Sequence, residues 1–382
     1  MLFRYEAPSP DERRVLDRIE AMRHDLRYYV AQSPRRWTGL LARLTRARAM
    51  RASNSIEGIN ISTEDAIAVV DNEEPRDADK ATWQAVEGYR SAMDYILQRC
   101  RDDSFVFNTD VLLAVHFMIT QHDLAANPGN YRPGWVCVRS SETGEIVHEG
   151  VDRDALEPLV GELIDYLNDP ESPLIVVKAA MVHLNLAMLH PFSDGNGRVA
   201  RCLQTAVLAN EGIVAPIFSS IEEYIGRNQQ AYYNVLGEVG GGGWNPRRDS
   251  RPWVRFCILG HYRQAQTLLR RTREWERLYD AFAVEVHRHG LHERTVMALL
   301  EAATGIRVRN SSYRASADIS NNLASRDLKS LVDAGLLEAR GERRGRHYVA
   351  GASVRHIRES TRLRKLSDDP FEEAERQSEL FG

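Results

Sequence analysis

The stretch His190-Pro-Phe-Ser-Asp-Gly-Asn-Gly-Arg-Val-Ala-Arg201 decides how this chain of 382 residues is interpreted. It places an imidazole, a carboxylate, two glycines around an asparagine, and two arginines in one short segment. Together these groups can hold a metal-bound polyphosphate beside a general base. The alternative is a plain helix corner with a surface histidine and solvated arginines. That alternative does not explain why every position carries the residue type that phosphate chemistry needs.

The segments on both sides of this stretch are predicted to be helical. Residues 175–189 are apolar around nearly the full circumference, which predicts a buried helix. Pro191 cannot continue that helix, so His190 is expected at its C-terminal end. Residues 198–210 predict a second helix with one apolar face. The sequence therefore predicts a short turn between two helices.

This turn is predicted to bind an anion. Gly195 and Gly197 let a phosphate approach the backbone, and free N–H groups at the start of the second helix attract it. Arg198 and Arg201 lie on one face of that helix, so both can reach the anion. Arginine at a helix N-terminus opposes the helix dipole by roughly 0.3–1 kcal/mol. Two arginines at this place therefore indicate that an anion binds.

Two titratable groups complete the predicted site. Asp194 is a carboxylate for Mg²⁺, and His190 can accept a hydroxyl proton near neutral pH. The whole stretch resembles the signature HPFx[DE]GNGRxxR of the Fic family, whose best-known members transfer AMP from ATP to protein hydroxyls. The resemblance implies a mainly α fold, with a Fic-type helical core and a β-hairpin flap.

The resemblance also implies a role for each matching residue. His190 would deprotonate a Ser, Thr or Tyr hydroxyl, and Asp194 would hold Mg²⁺ between the α- and β-phosphates. The residues implied to bind the nucleotide phosphates are Gly195, Asn196, Gly197, Arg198 and, at the γ-phosphate, Arg201.

A second matching segment lies far upstream. Ser53-Asn-Ser-Ile-Glu57-Gly58 resembles the family's inhibitory motif [ST]xxxE[GN]. The resemblance implies a helix whose Glu57 pairs with Arg201 and occupies the γ-phosphate site. Taken alone, six such residues also fit a solvated helix end closed by glycine.

Further segments predict a hairpin, a nucleotide contact and a loop. The β-prone runs 135–138 and 145–148 predict a hairpin, which is either the family's target-aligning flap or an ordinary surface hairpin. Of the paired tyrosines 232–233, the resemblance implies that Tyr233 contacts the nucleotide, although such pairs also occur in cores. The glycine run 240–243 predicts a flexible loop. It stands where some relatives carry an asparagine near the adenine, so selectivity for adenine stays open.

The C-terminal part resembles a winged helix-turn-helix domain, because helices, a capped helix, a strand, a basic turn and a strand follow one another. Residues 305–365 contain 14 Lys and Arg against 6 Asp and Glu, in a chain of net charge −4. Residues 305–350 are a possible DNA contact, and protein docking is the alternative. The groove-facing residues predicted on helix 320–334 are Asn321, Asn322, Ser325, Arg326 and Lys329.

The composition limits the class of protein. Four separated cysteines without a CxxC pair predict neither zinc nor a disulfide framework, and no apolar run is long enough to span a membrane. A cytoplasmic protein without membrane contact is therefore predicted. The predicted divisions are an N-terminal helical region with the inhibitory motif (1–100), the catalytic core with flap (101–265), a helical connector (266–290), a winged helix (291–365) and an acidic tail (366–382).

The function predicted from these features is protein adenylyltransferase activity with Mg²⁺ and ATP, restrained by Glu57. The protein substrate is not identified, self-modification is expected, and a homodimer is a further expectation. Three alternatives stay open: the fold removes AMP, it uses another nucleotide such as UTP, or the chain is a nucleotide-sensing DNA-binding regulator.

Overall fold

The computed structural model describes residues 1–32, 37–140, 143–170, 174–210, 220–342, 345–365 and 369–371. The chain is mainly helical and divides into two compact units. The first unit comprises Met1–Ala21, Thr45–Ala265 and Asp368–Gly382, and the second comprises Met22–Leu44 and Gln266–Ser367. In the described part of the chain, no helix combines the length and the apolar composition that crossing a bilayer requires.

The helices that precede residue 241 carry the predicted site. In chain order they are α1 (Pro10–Gln32), α2 (Trp37–Ile56), α3 (Thr63–Val70), α4 (Lys80–Arg99), α5 (Thr109–Thr120), α6 (Arg153–Asn168), α7 (Ile175–Leu189), α8 (Asn196–Asn210), α9 (Glu222–Arg227) and α10 (Gln229–Gly240). Helix α11 (Arg251–Arg288) follows them, and a short 3₁₀ helix, Leu124–Ala126, lies between α5 and the hairpin.

The core of the first unit is built around α7, which is buried on nearly all sides, as its sequence predicts. Its ends agree with the predicted helix 175–189. Trp253 of α11 is fully buried and donates its indole N–H to the carbonyl of Ala180 at 2.7 Å. Helix α4 approaches α5 so closely at Gly88 that a Cβ there would collide with the carbonyl of Met118. The first of these contacts fixes α7, and the closely packed pair of α4 and α5 lies against α8.

The predicted hairpin is present, with its strands shifted by one or two residues. Strand β1 (Cys137–Arg139) pairs antiparallel with β2 (Ile146–Glu149), with Val138 opposite His148 and an irregularity beyond it. The outer edge of β2 pairs with Gly242, whose carbonyl accepts from Glu149 N–H at 3.0 Å. The glycine run was predicted to be a flexible loop. The structure instead uses it to end α10 and to hold the hairpin.

The second unit contains the elements predicted for the C-terminal part. They are a 3₁₀ helix (Glu293–Thr295), α12 (Val296–Ala303), α13 (Asn310–Ala317), α14 (Asn321–Asp333), β3 (Leu337–Arg340), β4 (His347–Ala350) and α15 (Ala352–Ser360). Strands β3 and β4 pair antiparallel, and Val308 bridges to Tyr348 of β4. Helix α13 was not predicted. The order of elements is that of a winged helix-turn-helix, and the winged-helix assignment itself stays a prediction.

A buried ion pair joins α14 to the rest of this unit. Asp327 of α14 accepts two hydrogen bonds from Arg294, at 2.7 and 2.9 Å, and a third from the hydroxyl of Tyr313 at 2.9 Å. Asp327 is 6% exposed, and Tyr313 is fully buried. Two parallel bonds from a guanidinium to a carboxylate fix the orientation of both groups. Asp327 therefore holds α14 in place and is absent from its exposed face.

Replacing this carboxylate should destabilise the second unit. Asp327→Ala leaves the Arg294 guanidinium, which is 19% exposed, and a buried hydroxyl without their acceptor, so we expect the free energy of unfolding to fall by about 2 kcal/mol. Asp333→Ala removes an exposed carboxylate from the same helix and should change it by less than about 0.5 kcal/mol. Urea unfolding of both variants provides the measurement, and equal effects would contradict the structural role of Asp327.

Candidate active site

His190 lies immediately after the last residue of α7, as predicted. Its backbone is left-handed (φ 51°), which ends the helix there. Its Nδ1–H donates to the carbonyl of Ala187 at 3.1 Å. Because a carbonyl can only accept, this bond places the proton on Nδ1 and leaves the lone pair of Nε2 free. Burial lowers the pKa of His190 to about 4, so the ring is a neutral base at neutral pH.

The loop after His190 is closed by Asn196. The Nδ2 of Asn196 donates to the carbonyl of Phe192, and its Oδ1 accepts the N–H of Phe192, both at 2.9 Å. Gly195 has φ 79°, and a Cβ there would come within 2.9 Å of Thr120. The side chain of Asn196 thus holds the loop together and leaves only its backbone for a ligand.

Two buried side chains that the sequence analysis did not single out support this loop. The Nε2–H of His116 donates to the carbonyl of Asp194 at 3.1 Å, and its ring stacks on Phe192 with centroids 3.8 Å apart. Arg132 is 2% exposed and donates from Nε to the carbonyl of His190 at 2.8 Å. It also donates to the carbonyls of Gly134 and Val151 next to the hairpin. His190 and the hairpin are therefore connected through Arg132.

The start of α8 presents unpaired donors. Among the described residues, the backbone N–H groups of Gly195, Asn196 and Gly197 have no protein acceptor. The side chain of Arg198 is 2% exposed and donates from Nη2 to Asp194 at 3.0 Å. Its buried Nε and Nη1 have no partner within the described structure. Unpartnered buried donors are costly unless a ligand accepts from them, so this arrangement fits an anion.

Arg201 is held by the upstream segment that the sequence analysis predicted to be inhibitory. Its Nε donates to Ser53 Oγ at 2.8 Å, and its Nη2 donates to the carbonyl of Ser53 at 3.0 Å and to Glu57 Oε1 at 2.7 Å. The pairing with the carboxylate uses one oxygen, and the buried Nη1 of Arg201 has no partner among the described residues. A Cβ on Gly197 would collide with Glu57 Oε1. The Glu57 carboxylate therefore lies at the N-terminus of α8.

The end of α2 is fastened by α10. The carbonyl of Ile56 accepts from Gln229 Nε2 at 3.0 Å and from the hydroxyl of Tyr233 at 2.9 Å. Tyr233 is 43% exposed, while its neighbour Tyr232 is buried. The structure thus places Tyr233 at the site, in contact with the inhibitory segment, and assigns Tyr232 to the core.

A buried polar chain lies behind Arg201. His183 Nδ1 is 2.6 Å from Gln204 Oε1, and its Nε2 is 3.1 Å from the hydroxyl of Tyr232. Burial lowers the pKa of His183 to about 3, so its ring is neutral, and its Nε2 can accept a hydrogen bond from the Tyr232 hydroxyl. Nothing in the spacing of the sequence distinguished His183 from a core histidine.

The hairpin is fixed to the C-terminal end of α7 by His148. Its Nε2–H donates to the carbonyl of Met188 at 2.9 Å, and its ring centroid is 6.4 Å from that of His190. The hairpin therefore lies next to His190, as the flap prediction requires. The position of His148 in a β-prone run was visible in sequence, but its partner 40 residues away was not.

Asp194 is the candidate metal ligand. Its carboxylate is 57% exposed beside Arg198. No group of three or more His, Cys, Asp or Glu side chains suited to a metal ion occurs among the described residues. Mg²⁺ commonly takes one or two carboxylates and completes its shell with phosphate oxygens and water. A single exposed carboxylate next to an anion site fits that use.

Comparison with known proteins agrees with these features. Residues 106–208 match the family model of the Fic/DOC family. The chain is 27% identical over 247 residues to a protein adenylyltransferase Fic of Nematostella vectensis, covering 64% of this chain and 50% of that protein. It is 33% identical over 97 residues to protein adenylyltransferase fic-1 of Caenorhabditis elegans, covering 25% and 17%. The chain thus spans half or less of the length of these relatives.

Solved structures share the fold. A Fic family protein from Desulfovibrio desulfuricans G20 has a TM-score of 0.58 at 21% identity, covering 91% of this chain and 98% of that one. A Fic domain containing signaling protein from Bacteroides thetaiotaomicron has a TM-score of 0.55 at 19% identity, covering 68% and 96%. The signature loop, the family match and this common fold together show that residues 106–208 form a Fic domain.

Proposed function

We propose that this protein transfers AMP from ATP to a hydroxyl of a protein. One observation carries the proposal: the unpartnered N–H groups at the start of α8 and the buried guanidinium donors of Arg198 lie in the same corner as His190, whose Nε2 is free. Binding of an anion does not require a base, and a base can act without an anion site. Transfer from a nucleotide to a hydroxyl needs both in one place. The names of the relatives, protein adenylyltransferases, describe this reaction, which supports the proposal.

His190 begins the proposed reaction. Its Nε2 accepts the proton of the incoming Ser, Thr or Tyr hydroxyl, and the hydroxyl oxygen then bonds to the α-phosphorus of ATP. The bond from that phosphorus to the oxygen bridging to the β-phosphate breaks, and pyrophosphate leaves. The turn N–H groups, Arg198 and Arg201 stabilise the charge on the phosphates. Asp194 would hold Mg²⁺, which when bound neutralises phosphate charge and favours departure of pyrophosphate.

The structure also supports autoinhibition as part of this proposal. The Glu57 carboxylate lies against Gly197 and takes a bond from Arg201, the arginine proposed to hold the γ-phosphate. Two anions cannot occupy that position, because like charges repel and the space is filled. ATP would then bind with its γ-phosphate displaced and its α-phosphorus out of line with His190. Ser53 supports this state by orienting Arg201.

Other reactions of the same site are distinguished by the added group. The phosphate-facing residues would serve UTP as well as ATP, and the described contacts do not include a base-specific one. Removal of AMP would use the same corner with water in place of the protein hydroxyl. Self-modification is proposed as the most accessible reaction, because it needs no second protein. The predicted homodimer stays a prediction.

We also propose a cytoplasmic location. The four cysteines are free in the described structure, and Cys202 and Cys257 are buried among apolar side chains. Burial raises the pKa of both thiols, which keeps them protonated. Buried free thiols of this kind are typical of proteins in reducing compartments.

DNA binding by the second unit is a separate proposal. The groove-facing residues predicted on α14 are all exposed, while Asp327 is turned inward to Arg294; they are Asn321, Asn322, Ser325, Arg326 and Lys329. The exposed face of this helix is therefore basic and amide-rich, which suits phosphates and base edges. Arg343 in the predicted wing lies outside the described residues. Protein docking on the same face is the other outcome.

Removing the inhibitory carboxylate should activate the protein. We expect Glu57→Gly, incubated with Mg²⁺ and ATP, to label itself at least about tenfold faster than the parent, because a hydrogen bond between charged groups contributes about 1.5–3 kcal/mol. Intact-mass analysis with each nucleoside triphosphate identifies the transferred group. Glu73→Gly, at an exposed position after α3, is the matched control and should behave as the parent. Unchanged labelling in a folded Glu57→Gly variant would refute the inhibitory role.

Removing the base should stop transfer without preventing binding. In the Glu57→Gly background, we expect His190→Ala to lower the labelling rate by about 10²–10⁴-fold, the usual contribution of a general base. ATP affinity, measured by calorimetry, should change little, because the phosphates contact α8 and its arginines. Labelling that persists at the former rate would exclude His190 as the base.

Neutralising the exposed face of α14 should weaken DNA binding. We expect Arg326→Ala with Lys329→Ala to lower the affinity for duplex DNA and to reduce the slope of log K against log salt by about 2, one for each lost phosphate contact. Arg13→Ala with Arg101→Ala removes the same charge from exposed positions of the first unit and should not change the slope. No DNA binding by the parent at low salt would end this proposal.

A further inference from the structure

A second polar pocket lies along the inhibitory helix α2, away from the candidate active site. It has a volume of about 190 Å³ and is open to solvent. Its lining residues are Arg48, Arg51, Ala52, Ser55, Thr63, Glu223, Gly226 and Arg227. The pocket is therefore formed by α2, the start of α3, and the short helix α9.

The pocket and the inhibitory residues occupy opposite faces of α2. At 100° per residue, positions 48, 51, 52 and 55 centre on one side of the helix, and Ser53 points to the other. Glu57 follows one turn after Ser53 on that second side. A ligand in the pocket would consequently contact α2 without touching Arg201 or the phosphate site.

The charge of the pocket suits an anion. Three arginines and one carboxylate, Glu223, line the pocket, so the charges of the lining side chains sum to +2. Arg51 is already oriented, because its Nε donates to the carbonyl of Ile61 at 3.0 Å and its Nη1 lies 3.4 Å from Thr63 Oγ1. Arg227 is paired with Glu223, which holds it at the rim. Guanidinium groups and a hydroxyl arranged around a cavity bind phosphate groups through several charge-assisted hydrogen bonds.

The pocket lies between two segments that are in contact beside the inhibitory residues. Helix α9 packs directly on α2 at Gly226, where a Cβ would come within 2.8 Å of Ala52 Cβ. Helix α9 continues after one residue into α10, whose Gln229 and Tyr233 hold the carbonyl of Ile56. An anion bridging the arginines of α2 to Arg227 would add bonds between the same segments. It would therefore stabilise α2 in the place where Glu57 meets Arg201.

We propose that this pocket is a regulatory site for a phosphate group and that its occupation strengthens autoinhibition. The binding site follows from the cavity and its charges, and only the regulatory consequence rests on the proposed function. The shared chemistry is a phosphate dianion, which a free phosphate ion or a phosphorylated small molecule supplies.

Binding is tested with inorganic phosphate and, separately, with AMP, by calorimetry on the full chain at constant ionic strength set with chloride. We expect Arg51→Gln with Arg227→Gln to bind phosphate at least about tenfold more weakly than the parent, because two sets of charge-assisted bonds are lost. Arg13→Gln with Arg101→Gln is the charge-matched control and should bind as the parent does. Tighter binding of AMP than of phosphate in the parent, lost in the pocket variant, would identify a phosphorylated small molecule as the ligand.

Equal phosphate affinity in the pocket variant and the control would overturn the site, since an anion bound only at α8 is not affected by Arg51 or Arg227. Should the double variant unfold, Arg227→Gln alone removes an arginine whose side chain is 53% exposed and serves instead.

Regulation is tested by self-labelling. Phosphate should slow labelling of the parent at least about fivefold relative to chloride. This slowing should disappear in the pocket variant. Equal slowing in both proteins would indicate competition with ATP and would overturn the regulatory role. If even Glu57→Gly shows no labelling, the proposed function fails, while the binding result still decides the phosphate site.

Discussion

The structure of the site depends on the need of one buried cation for an anion. Arg201 is 1% exposed, and its Nε and Nη2 donate to Ser53 and Glu57, which lie almost 150 residues away in the chain, while its buried Nη1 has no partner among the described residues. A buried charge without a partner is unfavourable, so an anion at this place stabilises the site. In the proposed function, the Glu57 carboxylate and the γ-phosphate of a nucleotide would compete for Arg201. Inhibition and substrate binding would then satisfy the same electrostatic requirement.

The corner around Arg201 keeps its shape through bonds that face away from the ligand. Asn196 closes the loop on Phe192, His116 holds the carbonyl of Asp194, and Arg132 holds the carbonyl of His190. Because the carbonyl groups are consumed on this inner side, the N–H groups of the turn point outward and stay free. The same logic sets the tautomer of His190, whose Nδ1–H is given to the backbone. In the proposed function, the base and the anion site would thus be prepared before any ligand arrives.

The second unit shows how burial changes the meaning of a charge. Asp327 stands in a helix that reads as basic and polar, and its carboxylate could equally have weakened a DNA-binding face or marked a protein contact. In the structure it is enclosed with Arg294 and Tyr313. The charge pattern of the exposed face therefore differs from that of the helix as written in the sequence. The same holds for Tyr232 and Tyr233, neighbours of which one is enclosed and one reaches the inhibitory segment.

The sequence by itself determined the features that depend on neighbouring residues. The extent of α7, its end at His190, the glycine turn, the position of the hairpin and the order of helices and strands at the C-terminus all follow from local periodicity and from proline and glycine, except that helix α13 in the C-terminal part was not predicted. The signature residues predicted a phosphate site beside a general base. Only the tertiary structure decided that Glu57 lies on Gly197, that His116 and Arg132 support the loop, that the glycine run pairs with the hairpin, and that Asp327 is buried. Each of these is a contact between segments distant in the chain, and local sequence patterns contain no information about which distant group will meet a given side chain.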